Sequence, residues 1–224
     1  MSNRKKGLKD FSTNPATKFI EWKSNDKQFS FYDKEKGENV LIPLPFKFLY
    51  LEDLSTVKGW HDPSQSGIYS NEVLLISSQE MNVKSFKGGE IAKGLYKDIK
   101  EKIKLSGAHY VKSVYVMLED GSLANIQFKG SGVQAFGEFL NKNKSRIKDE
   151  WTLVKSFKEG KKGSVKYTVP EFIFDKTLSE SQEMQADEAF NTLEEYLKGY
   201  LKKTDAIEAP TNDFVDEVDE DDDF

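Results

Sequence analysis

Residues 114–144, VYVMLEDGSLANIQFKGSGVQAFGEFLNKNK, decide the fold class. Val, Tyr, Leu, Ile and Phe crowd the runs on either side of Asp120-Gly121, a turn dipeptide, and read as two strands of a hairpin. Beyond Gly130-Ser131-Gly132 the period changes: Val133, Phe136, Phe139 and Leu140 fall on one helical face. Residues 72–103, EVLLISSQEMNVKSFKGGEIAKGLYKDIKEKI, repeat the order strand, turn, strand, helix, with Phe86-Lys87-Gly88 lying 42 residues before Phe128-Lys129-Gly130. Ile91, Leu95, Ile99 and Ile103 recur every four residues, an amphipathic stripe. Identity between the copies is low, so the relation is an echo of order, not a duplication.

Working outward, KFIEWK and QFSFYD flank Ser24-Asn25-Asp26 as a hairpin, and Lys36-Gly37-Glu38 turns into NVLIPLPFKFLYLEDL. Pro43 and Pro45 place that stretch at a sheet edge or bend. Phe46, Phe48 and Tyr50 share one face; Lys47, Leu49 and Leu51 share the other. A polar loop carrying Trp60 follows. Downstream, WTLVKSFKEG and SVKYTVPEFIF pair across Lys161-Lys162-Gly163. Residues 179–203 form a helix capped by Ser179 or Ser181 with Glu183 nearby, its face built from Met184, Ala189, Leu193, Tyr196, Leu197 and Tyr200. The expected class is β-rich α+β: a small closed barrel with elaborated loops first, a twisted open sheet second. The organisation reads as a flexible basic arm (1–14), a barrel domain (15–178), a packed helix (179–204) and a disordered acidic tail (205–224).

The chain has 224 residues, 33 Lys+Arg against 38 Asp+Glu, and no cysteine. Disulfides, thiol nucleophiles and Cys-rich zinc sites are thereby excluded. No run approaches the ~20 apolar residues of a membrane span, and the basic start MSNRKKGLKDFS has no apolar core behind it. A cytoplasmic protein with no membrane partner is expected. The net charge of −5 conceals an asymmetry: residues 205–224 hold ten acids and no Lys or Arg, while residues 1–178 carry +8. Ten like charges with few apolar residues cannot offset the entropy of ordering, roughly 1–2 kcal/mol per residue.

Catalytic signals are weak. His61 and His109 are the only imidazoles; His61-Asp62, before a proline, reads as a turn rather than a metal pair, and Ser64 and Ser66 make no nucleophile elbow. No metal, cofactor or enzymatic activity is expected. Residues 130–135, Gly130-Ser131-Gly132-Val133-Gln134-Ala135, match G-x-G-x-x-A, but the hairpin before them does not suit a parallel dinucleotide fold. A plain helix start is favoured there, with anion contact through Lys87 and Lys129 at the two echoed helix entries as the sharper reading.

The stronger signal is aromatic rings interleaved with lysines, which suits single-stranded nucleic acid: rings stack bases while ammonium groups follow phosphates. The candidate contacts are Trp60, Lys84, Phe86, Lys87, Tyr110, Lys112, Lys129, Trp151, Lys155, Lys158, Lys161, Lys162, Lys166 and Tyr167. Trp60, in a polar stretch, is the ring least needed by a core.

The ending Asp213-Phe214-Val215-Asp216-Glu217-Val218-Asp219-Glu220-Asp221-Asp222-Asp223-Phe224 resembles the tail of bacteriophage single-stranded DNA-binding proteins, small OB-fold proteins of viral replication. The resemblance implies a protein that coats transiently exposed single-stranded DNA, with RNA left open, and removes hairpins. It also implies recruitment of replication proteins such as polymerase or helicase-primase through Asp219, Glu220, Asp221, Asp222, Asp223 and Phe224. Self-association is left open. The competing readings are a structural or interaction protein with a solubilising tail, and a nucleotide-using enzyme built on residues 130–135. If the tail screens the basic groove, deleting residues 205–224 tightens DNA binding at low salt in a fluorescence titration. Unchanged or weaker affinity counts against that screening.

Overall fold

The alternation and turn chemistry of the chain produce strands β1 (Lys18–Lys23), β2 (Gln28–Asp33), β3 (Glu38–Ile42), β4 (Phe46–His61), β5 (Ser66–Tyr69), β6 (Met81–Ser85) and β7 (Gly89–Gly94). Helix α1 (Tyr96–Leu105), strands β8 (Ala108–Leu118) and β9 (Leu123–Lys129), helix α2 (Ser131–Lys142), strands β10 (Glu150–Lys162) and β11 (Val165–Thr177) and helix α3 (Glu180–Leu201) follow. These come from a computed structural model, which describes residues 13–202. The acidic tail, including Asp219, Glu220, Asp221, Asp222, Asp223 and Phe224, and all but the last two residues of the basic arm lie outside the described residues.

The strands form one sheet in the order β3-β2-β1-β9-β8-β4-β5-β6-β7, with β10 branching from β4 and carrying β11. Only β1 and β9 run parallel; the other ladders are antiparallel. The described residues therefore form a strand-rich α+β fold with three α-helices and an open, mixed sheet. This corrects the expectation of a closed barrel. Among the described residues no ladder joins β11 to the β1–β3 edge. Strand β10 pairs with β4 only over residues 152–154, and its ladder with β11 shifts register between Val154 and Ser156. The far half of that hairpin crosses to the β1–β2 turn and holds it by side chains instead. Trp22 Nε1 donates to the Thr168 carbonyl at 2.9 Å, and the Thr168 amide donates to Ser24 Oγ at 2.7 Å. Pro170, which has no N–H to give, sits in β11, a strand with one paired edge.

One core, between the sheet, α2 and β11, contains Phe29, Phe46, Phe48, Phe128 and Phe136. Helix α3 covers part of the opposite face, against Leu49, Leu51, Leu54, Tyr115 and Met117. Helix α1 closes a third cluster with Val57, Ile68, Met81 and Val83. The expected split of Phe46, Phe48 and Tyr50 from Leu49 and Leu51 thus separates two cores. The prolines lie in the bend between β3 and β4, and the residues after them form a strand with neighbours on both sides.

Other expectations shift. Phe86-Lys87-Gly88 is part of the β6–β7 hairpin turn, where Gly89 adopts a φ of +77°, so Lys87 is not at a helix entry. Ala92 pairs with Val83, which draws Ile91 into β7 and delays α1 to Tyr96. Residues 74–79 form a loop rather than a strand, because Gln79 Oε1 accepts the Leu74 and Leu75 amides, each at 2.8 Å. In α3 the capping box pairs Ser179 with Gln182, and Met184 is 74% exposed, off the packed face. Accordingly Leu193→Ala, at a position with no exposure, is expected to cost about 2–5 kcal/mol in urea denaturation. Met184→Ala should change stability by less than about 0.5 kcal/mol.

Candidate nucleic-acid interface

Alternation in β1 points Ile20 and Trp22 to the aromatic core, leaving Phe19, Glu21 and Lys23 on the opposite face. In β2, Phe29 and Phe31 point inward, and Ser30, opposite Glu21, and Tyr32 point with Phe19. A register shift in the β4–β8 ladder between Tyr50 and Glu52 changes the parity of β4. Upstream of it Leu49 and Leu51 face α3; downstream Leu54, Thr56, Lys58 and Trp60 take that face. Helix α3 reaches as far as Leu54, and the face beyond it is not covered by a helix among the described residues.

On this uncovered half, side chains from six strands converge. Lys58 Nζ donates to Gln127 Oε1 at 2.8 Å and lies 5.7 Å from the Phe19 ring centroid. Tyr69 stands opposite both Lys58 and Lys84 in its two ladders and stacks on Phe86 with centroids 4.6 Å apart. Gly67, opposite Trp60, makes room for the Phe86 ring: a Cβ there would meet two ring carbons at 3.3 Å. The exposed rings are Tyr32 (58%), Phe19 (42%), Trp60 (52%), Tyr69 (37%) and Phe86 (72%). With neighbouring strands ~4.8 Å apart, the stripe from β2 to β6 spans about 29 Å.

The stripe is cationic. Lys23, Lys58, Lys84 and Lys129 lie along it, and its central acid, Glu21, bonds Lys129 at 3.0 Å and Lys23 at 3.5 Å. Burial works to raise the Glu21 carboxyl, but the charge and hydrogen bond of Lys129, with Lys23 and Lys58, outweigh it and hold the carboxyl below its ordinary range. Burial lowers the Lys58 ammonium, against the opposing pull of Glu21 and Glu72.

A buried polar network marks the border with α3. The Ser113 hydroxyl and, at 2.7 Å, the Tyr115 hydroxyl donate to the Glu72 carboxylate. The Glu72 amide donates to the Tyr200 hydroxyl oxygen at 2.8 Å. Burial, and then Glu72, push the Tyr115 phenol far above its ordinary value, and Tyr196 rises to about 12 for the same causes in the same order.

Beside the middle of the stripe lies a cleft of about 460 Å³ between β1, β8, β9, the start of α2 and β11, lined by Trp22, Lys104, His109, Lys129 and Tyr167 among others.

The candidates read from sequence separate accordingly. Trp60, Lys84, Phe86 and Lys129 lie on the stripe, with Lys87 exposed in the adjoining turn. Tyr167 lines the cleft. Lys158, Lys161, Lys162 and Lys166 are exposed on the β10–β11 hairpin, as is Lys155 nearer its base; Lys158 pairs with Glu171 at 3.5 Å. Trp151 is a correction: it is 4% exposed within the α3 core and offers no face to a base. Tyr110 and Lys112 are corrections too, because the alternation of β8 puts them on the core side. Tyr110 bonds Ser55 Oγ at 2.9 Å, and Lys112 meets Asp53 at 2.6 Å with both side chains about 15% exposed. Phe19, Tyr32, Lys58 and Tyr69 were missed. The inward pairs Ile20/Trp22 and Phe29/Phe31 already signal Phe19 and Tyr32, whereas Lys58 and Tyr69 follow from pairing alone.

His61 Nδ1 is 2.7 Å from Ser64 Oγ, which is 2.9 Å from Ser66 Oγ, a chain that ties the turn Asp62–Ser64 to β5. No group of three or more His, Asp or Glu is arranged for a metal among the described residues. After α2 the chain enters β10, which pairs antiparallel with β4 and not with β9; the strand parallel to β9 is β1, which precedes it in the chain, so residues 130–135 do not open the strand–helix–strand crossover of a dinucleotide fold. No helix among the described residues is long and apolar enough to cross a membrane. No protein-family profile, curated relative or solved structure matches this chain.

Lys112→Met strands Asp53 against the Tyr50 hydroxyl, which it accepts at 2.6 Å. It is expected to cost about 3–5 kcal/mol in urea denaturation, a loss of stability of the kind a contact residue on the stripe would not produce.

Proposed function

We propose that the protein binds single-stranded DNA largely without sequence preference, stacking bases on Trp60, Phe19, Tyr32, Tyr69 and Phe86 while lysines follow the phosphates. The observation that carries this reading is the uncovered half-face itself. Five rings on one sheet face, interleaved with Lys23, Lys58, Lys84 and Lys129, stay 37–72% exposed instead of joining a core, and fit stackable bases on a charged backbone. A duplex, its bases already stacked on one another, gains nothing from such rings. In this reading the chain coats exposed strands during replication, recombination or repair in the cytoplasm of the cell that holds them.

The acidic end belongs to the same proposal. Helix α3 ends at Leu201, one residue after Tyr200 contacts Glu72 at the border of the stripe. The chain continues from there into the ten acids of residues 205–224. They compete for the face until DNA, with denser charge and stackable bases, takes their place. Asp221, Asp222, Asp223 and Phe224 are then free to recruit replication enzymes. The interaction-protein alternative is favoured by one feature: Gln79 holds a loop in which Leu74 and Leu75 are 46% and 56% exposed.

Oligo(dT) is expected to quench tryptophan fluorescence, with Trp60 the main source because Trp151 is buried and Trp22 points to the aromatic core and donates to the Thr168 carbonyl. Trp60→Ala should remove most of the quench and cost about 1–3 kcal/mol of affinity. Neutralising about five phosphates gives a slope near −3.5 of log affinity against log salt. A flat salt response with no quench overturns the proposal.

A further inference from the structure

The cleft beside the stripe has its own construction. It is continuous with the stripe, since Glu21, Gln127 and Lys129 belong to both. It also backs onto Trp60: the Trp60 amide donates to the Gly107 carbonyl at 3.3 Å, and a Cβ on Gly107 would lie 2.4 Å from the Trp60 carbonyl oxygen. Its charged side chains are Lys104, Lys129 and, when protonated, His109, against the single acid Glu21, which Lys129 already bonds at 3.0 Å.

One wall is a ring set in place by a glycine. Tyr167 pairs with Gly160 across the β10–β11 ladder, and its ring lies over the Gly160 α-carbon. A Cβ there would meet three atoms of the phenol at 2.3, 2.5 and 2.7 Å. Any other residue at position 160 displaces the ring. Across the cleft, the same hairpin is anchored by the Thr168 hydrogen bonds to Ser24 and Trp22, so the wall stands at a defined distance from β1. The volume of about 460 Å³ falls in the range of small-molecule sites, ~300–1,000 Å³. It leaves room for one nucleotide and excludes a base pair with its backbones.

We infer that this cleft is a subsite for one nucleotide of a bound single strand, with the base against Tyr167 and the phosphate between Lys104 and Lys129. The inference rests on the single-strand reading of the stripe and adds one walled position beside it. A strand crossing the sheet past Trp60 reaches the cleft at Lys129 and turns one base into it. The stripe tolerates sliding, whereas the cleft holds a nucleotide at a walled position.

The test uses the full chain and oligo(dT) carrying a single 5-iodouracil, photocrosslinked and mapped by mass spectrometry. The expected result is a crosslink on Tyr167 that unlabelled oligo(dT) abolishes and free dTMP at equal nucleotide concentration does not. Tyr167→Ala and Gly160→Ala should each weaken oligo(dT) binding about tenfold and leave the salt slope unchanged, while Tyr167→Phe retains wild-type affinity. Wild-type binding with crosslinks confined to Phe19, Trp60, Tyr69 or Phe86 overturns the subsite and leaves the stripe standing. An absence of oligo(dT) binding overturns the function reading and the subsite with it. Binding of dTMP without oligo(dT) overturns the strand-bound form.

Discussion

Strand β4 is the constraint on which the other elements depend. Its 16 residues, about 50 Å of extended chain, pair with β8 along most of their length, with β10 at the start and with β5 at the end. The aromatic core and the α1 cluster lie on one face of this strand, α3 and the stripe on the other. The irregularity between Tyr50 and Glu52 changes which residues meet each face. Before it, the aromatic core takes Phe46, Phe48 and Tyr50 while α3 takes Leu49 and Leu51; after it, Val57 turns to the α1 cluster and Lys58 and Trp60 turn outward.

That change of parity makes the function reading physically coherent. One sheet face is divided by the reach of α3, and the division is chemical as well as spatial. On the covered side Leu193 and Leu197 pack against Leu49, Leu51 and Leu54. At the border the Glu72 carboxylate is held by Ser113 and Tyr115. Past it, rings and ammonium groups replace aliphatic side chains. The same geometry brings the end of α3, through Tyr200, to Glu72 at that border.

Much of this was legible beforehand, and the failures have local causes. The hairpins at Ser24-Asn25-Asp26 and Asp120-Gly121, the two aromatic faces of residues 46–51 and the terminal helix all follow from period and turn chemistry. Trp60 stands out because its polar neighbours give it no core to join, and Phe86 because it lies between Lys84 and Lys87. Trp151, Tyr110 and Lys112 were misplaced because clustering in sequence says nothing about which side of a strand meets a core. The Phe-Lys-Gly echo misled for a similar reason: Gly130 caps a helix, whereas Gly88 and Gly89 turn a hairpin, and three letters do not distinguish the two.

By its residues alone, the chain determines its strands and helices, its absence of thiol chemistry, and a cationic body followed by a polyanionic end. These are properties of composition and near-neighbour spacing, which need no partner across space. Whether the sheet closes, which face α3 covers, and whether a given ring is buried or presented were decided by tertiary structure. Each depends on which strands meet and in what register, and a shift of one residue in register moves every side chain of a strand to the opposite face.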